Sequence, residues 1–206
     1  MAIGPTAGYW MQTLHDRNVF AESKSVIELG PSSFFWEEKS LIRFLDKYFP
    51  DKQVQTRFLE RLTLINGKLD EVVANGFYEL LGFDHYDTVD YGDGNATIKH
   101  NLNYEFPVTK QYDVMVDMGT IEHVFNIGET FRTCHNLTRP GGIMVHQLAT
   151  FGGYYHGFYN IHSVTWRSLI EANDYEVIYL LYCHDMDRAK NHILKHLHFD
   201  FENIRE

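Results

Sequence analysis

Short apolar runs that stop at an acidic residue or a glycine recur along this chain, and they limit its fold more than any other feature. Ser25-Val26-Ile27-Glu28-Leu29 leads into Gly30, and Tyr86-Asp87-Thr88-Val89-Asp90-Tyr91 leads into Gly92-Asp93-Gly94. Tyr112-Asp113-Val114-Met115-Val116-Asp117 precedes Gly119, and Ile143 to Leu148 follows Arg139-Pro140-Gly141-Gly142. Runs this short, bounded by turn residues, read as buried strands. Helical spacing fills the gaps. From Trp36 to Tyr48, the residues Leu41, Ile42, Phe44, Leu45 and Tyr48 share one face, and Phe49-Pro50-Asp51 stops the pattern. Further helices are expected at about 54–65, 69–80, 122–137 and 163–173, a short strand from Ala96 to His100, and another strand from Tyr175 to Cys183. The tail from His192 to Glu206 fits either a helix or a closing antiparallel strand.

Strands alternating with helices predict an α/β fold: a Rossmann-like, doubly wound, mostly parallel sheet with helices on both faces. The 206 residues, 44% hydrophobic and 15% aromatic, suffice for one core, so a single domain over 1–206 is expected, with a helical insertion at about 50–75. Eighteen basic residues against 28 acidic give a net charge of −10, which opposes the field that nucleic acid binding relies on. Only Cys134 and Cys183 occur, which argues against a disulfide framework and for a reducing compartment. The N-terminus lacks the basic and apolar regions of a secretory leader, and no apolar run is long enough to span a bilayer. A cytoplasmic protein with no membrane partner is the expectation.

In a doubly wound sheet the ligand lies at the carboxyl ends of the strands. Glu28, Gly30, Asp90, Asn101, Asp117, Glu122 and His123 all fall there. Gly30 permits close backbone approach, Asp90 suits the two hydroxyls of a ribose, and Glu28 suits an ammonium or sulfonium and repels a diphosphate. There is no G-x-G-x-x-G, which speaks against a dinucleotide.

Together with Gly119-Thr120-Ile121-Glu122-His123-Val124-Phe125 and Leu137-Thr138-Arg139-Pro140-Gly141-Gly142, these segments resemble class I S-adenosylmethionine-dependent methyltransferases over about residues 25–183. The phrases Glu122-His123-Val124-Phe125-Asn126 and His156-Gly157-Phe158-Tyr159 also resemble a methyltransferase-like branch associated with bacterial surface-glycan clusters. The resemblance implies that Glu28 and Gly30 border the methionine part of S-adenosylmethionine, with Asp117 and Met118 beside it. It also implies that Asp90 holds the ribose and Asn101 the adenine amino group. In two respects the chain departs from the family: Pro31-Ser32-Ser33-Phe34 replaces the glycine-rich continuation after Gly30, and the stretch from Gly30 to Asp90 is longer than the family pattern needs.

The activity so implied is methyl transfer to an oxygen or nitrogen of a small-molecule acceptor, including sugar or glycan precursors. His123 and His156 are the candidates for proton acceptor or acceptor-positioning group, being the histidines of the two loops that follow successive strands. The aromatic segment from Phe151 to Tyr159 reads as a substrate lid, with Tyr155 and Tyr159 facing the acceptor. The insertion would serve as a lid or as the interface of a homo-oligomer. A methyltransferase fold that binds a ligand or partner without turnover is the alternative, favoured by the altered turn after Gly30. A metal-dependent hydrolase rests only on the twelve histidines, of which His192, His196 and His198 are the densest group, and no metal site is expected.

Overall fold

Val26, Ile27, Glu28 and Leu29 expose no surface, as befits a strand with neighbours on both edges and packing on both faces. The computed structural model describes residues 2–65, 68–71, 74–151 and 155–180. In chain order the elements begin with β1 (Ala2–Ile3), α1 (Pro5–Asp16), β2 (Ser25–Leu29), β3 (Ser33–Glu37), α2 (Glu38–Tyr48) and α3 (Lys52–Leu59). Next come β4 (Thr63–Ile65), β5 (Lys68–Glu71), α4 (Asn75–Leu80), β6 (His85–Asp90), β7 (Ile98–Lys99) and β8 (Tyr112–Asp117). A 3-10 turn at Ile121–His123 precedes α5 (Ile127–Leu137), β9 (Thr138–His146) and α6 (Ser163–Asn173). The chain divides into two compact units, residues 1–160 and 161–206; both sheets lie in the first and α6 in the second.

The main sheet has the order β7-β6-β2-β8-β9, and all four of its pairings are parallel. The fold is therefore α/β and Rossmann-like. From β2 the chain goes to β6 and β7 on one side, then returns to β8 and β9 on the other, so the topological switch lies between β2 and β8. On one side of this sheet Ile27, Leu29, Val89, Met115, Cys134 and Leu137 form a continuous buried cluster. At the opposite, amino edge Asp113 holds three strands in register. Its carboxylate accepts from Lys24 N, Ser25 N and Ser25 Oγ at 2.8–2.9 Å and from Arg139 Nε at 2.6 Å. Burial would raise the pKa of this carboxyl, but the guanidinium and the amide donors outweigh burial and hold it below the usual carboxylate range.

The region between β2 and β6 departs from expectation. Residues 50–75 are only partly helical: of the helices expected at 54–65 and 69–80, the first ends with α3 at Leu59 and the second is helical only over α4, while β4 and β5 form an antiparallel pair between them. Nor does a helix begin at Trp36. The segment Ser33–Glu37 is β3, and a second, four-stranded sheet with the order β1-β3-β5-β4 results. Alternation explains the strand, because Phe34 and Trp36 are fully buried while Ser33 and Phe35 between them are only half-buried. Phe34 and Trp36 stack at 5.5 Å and contact Phe44, Phe58 and Phe77, an aromatic core that continues through Tyr78 to Tyr86 of β6.

The C-terminal half differs from expectation at two places. The helix expected over 122–137 is split into the 3-10 turn and α5 by Val124-Phe125-Asn126. The strand expected from Tyr175 to Cys183 is irregular over its described part, 175–180, because no described segment pairs with it to form a ladder. Cys183, His192, His196 and His198 lie outside the described residues. Among the described residues no helix is long and apolar enough to cross a membrane.

Candidate functional site

The carboxyl ends of β2, β6 and β8 are tied together through their turns. Gly30 adopts φ +68°, a left-handed conformation that glycine takes without strain, and its N–H donates to Val89 O at 2.8 Å. From the loop after β8, Thr120 Oγ1 donates to Leu29 O. Beneath the Gly30 turn, Glu28 has no exposed surface. Its carboxylate accepts from Tyr86 Oη at 2.6 Å, Tyr78 Oη at 3.1 Å and Ser32 N at 3.2 Å. Burial pushes its pKa up, and these donors pull the other way without cancelling the shift. Glu28 thus braces the turn from below.

Asp90 ends β6 half-buried, and its Oδ1 caps the following turn by accepting from Gly92 N at 2.7 Å and Asp93 N at 2.8 Å. Its Oδ2 accepts no hydrogen bond among the described residues. Asn101, after β7, has its Oδ1 engaged by Asn103 N and Nδ2 at 3.1 and 2.9 Å. Asp117 ends β8 fully buried; Oδ1 accepts from Thr120 N at 2.8 Å, and Oδ2 lies 3.2 Å from His146 Nδ1 at the end of β9. Met118 is buried beside it. Gly30, Asp90, Asn101 and Asp117 therefore share one edge of the sheet, with Asp117 shaping the β8 loop from within.

Beyond that loop, Glu122, His123 and His156 converge. The Glu122 side chain is 2% exposed and the His156 side chain 54%, with His156 Nε2 at 3.5 Å from Glu122 Oε1. The rings of His123 and His156 are 4.9 Å apart, and one donor atom from each of the three residues falls within 4.8 Å of the others. Glu122 Oε2 is buried and has no hydrogen-bond partner among the described residues. Burial raises the Glu122 pKa, and the charge of Asp117 adds to the rise. Burial lowers that of His123, and His156 lowers it further.

What carries His156 to Glu122 is a glycine. Phe158 N donates to Glu122 O at 2.7 Å and Tyr159 N to the same oxygen at 3.3 Å. A Cβ on Gly157 would lie 2.6 Å from that oxygen, so only glycine fits. Tyr159 Oη donates to Phe125 O at 2.7 Å, while Tyr155 stands fully exposed at φ +59°. Phe125 and Phe158 meet edge to face at 5.7 Å and remain largely exposed, an apolar rim beside the histidines. Gly152, Gly153 and Tyr154 of the expected lid lie outside the described residues.

The structure thus brings His123 and His156 together with Glu122, which the sequence had already placed at the carboxyl ends of the strands. It also adds Tyr78, Tyr86 and His146. Only His146 carried a signal, as the polar residue in the β9 run directly across from Asp117 in the register. Comparison of the chain with family models, with curated proteins and with solved structures found no match.

Proposed function

We propose that this chain transfers a methyl group from S-adenosylmethionine to an oxygen or nitrogen of a small-molecule acceptor, a sugar or glycan precursor being the class suggested by the resemblance. One observation carries the reading: the strand order puts Gly30, Asp90 and the Asp117–Met118 loop side by side at the carboxyl ends flanking the topological switch. Asp90 Oδ2 is the acceptor for ribose hydroxyls, Asn101 lies next along the edge for adenine, and Gly30 admits the methionine end. Glu28 acts through the Gly30 turn. The donor's sulfonium drives the reaction, so the protein's task is to align two reactants and to manage the acceptor's proton. His123 and His156 stand on the loops after β8 and β9, as groups that orient the acceptor or take its proton. Phe125, Phe158, Tyr155 and Tyr159 supply the apolar and hydroxyl surface for it.

Asp90→Ala is expected to weaken S-adenosylmethionine binding by roughly 1.5–3 kcal/mol, the scale of charge-assisted hydrogen bonds lost from a site. Equilibrium dialysis with labelled cofactor checks this, and an unchanged Kd in the folded variant removes the ribose assignment. One feature supports the second reading, a binding protein without turnover: Gly30 leads into β3, so no helix N-terminus follows the turn to receive the cofactor carboxylate. Methyl transfer to a mixture of acceptors separates the two readings, because only the first yields methylated product.

A further inference from the structure

We infer that Glu122, His123 and His156 form a binding site for a divalent transition metal of the zinc and iron(II) class, with coordination positions left open toward solvent. Two imidazoles and one carboxylate are the donor set such ions take, whereas magnesium and calcium favour all-oxygen sites. The three donors already fall within 4.8 Å of one another. The two histidines are exposed, so modest rotations of their side chains bring the donors to bonding distance. An independent observation points the same way: Glu122 is 2% exposed and its Oε2 is buried with no hydrogen-bond partner among the described residues, a costly arrangement that a bound cation would relieve.

The backbone is built to hold this set. Glu122 and His123 sit on the 3-10 turn, and the loop bearing His156 is fastened to that turn by the Phe158 and Tyr159 amides, with Gly157 in van der Waals proximity to the Glu122 backbone. Asp117 adds negative charge nearby, felt at Glu122. Three protein ligands with an open face match sites that bind a water or an acceptor oxygen directly. The claim is of metal binding alone and stands apart from the cofactor reading.

The test uses the full, untagged chain after chelator dialysis, titrated with Co²⁺ by visible absorption and with Zn²⁺ in competition with a chromophoric chelator. One tight equivalent is expected. It should weaken by more than about 100-fold in His123→Ala/His156→Ala, whose exposed side chains leave folding intact by circular dichroism, and persist in His192→Ala/His196→Ala/His198→Ala. Absence of a tight equivalent in the unsubstituted chain overturns the inference. So does a tight equivalent that survives the His123/His156 double substitution.

Discussion

Glu28→Ala is expected to destabilise the protein by about 2–4 kcal/mol. The substitution removes an acceptor from three donors at once. Tyr78, itself without exposed surface, keeps a hydroxyl with no partner among the described residues, and Ser32 N loses its acceptor beneath the Gly30 turn. A cavity is added to that cost. Glu28→Gln keeps the shape and one acceptor oxygen and separates charge from packing. Burial raises the folded-state pKa of Glu28, so the native chain holds this proton more tightly than the unfolded chain, whose carboxyl titrates near 4.3. Stability from this group is then fully present below the unfolded value and is lost as pH rises through the folded value. Urea unfolding from acid to neutral pH should show that decline in the parent and not in Glu28→Gln, and parallel curves would remove the assignment.

The second large effect is expected at Gly157. Its added Cβ in Gly157→Ala would meet the carbonyl oxygen of Glu122 at 2.6 Å and the carbonyl carbon at 3.1 Å, both backbone atoms with no rotamer to retreat into. The loop must move away, lengthening the Phe158 and Tyr159 hydrogen bonds and drawing His156 from Glu122. Overpacking of this kind costs typically about 1–3 kcal/mol, yet the functional loss should be larger. A shift of about 1 Å at a positioned group can cost on the order of 100-fold in rate. Methyl transfer under saturating cofactor, compared with Gly128→Ala, whose Cβ meets nothing within 4 Å, checks it. Equal turnover in the two variants would show that the position of His156 is immaterial.

The main sheet was legible because β2, β6 and β8 are short apolar runs closed by Gly30, Gly92 and Gly119, a pattern few helices can imitate. The second sheet was hidden by its composition. Phe34-Phe35-Trp36 runs straight into a helix, so a single apolar stretch served two elements, and Thr63 to Glu71 mixes charged and apolar residues without a clear period. A signal did exist there: Asn66-Gly67 between β4 and β5 is the dipeptide that favours two-residue hairpin loops. Asp90 and Gly30 could be placed from strand ends alone. The Glu122, His123 and His156 grouping could not, since α5 and β9 separate its members and only the parallel return of β9 beside β8 brings the two loops together. Spacing rules for metal sites look for ligands on one local element, and this set has none beyond the Glu122-His123 pair.

Calorimetric titration of the full chain with S-adenosylmethionine and with its demethylated product, S-adenosylhomocysteine, tests the central claim most directly. Saturable binding of both at one equivalent, weakened for both by Asp90→Ala, is the expected result. A folded chain that takes up neither would contradict the assignment of the carboxyl ends of β2, β6 and β8 to this cofactor.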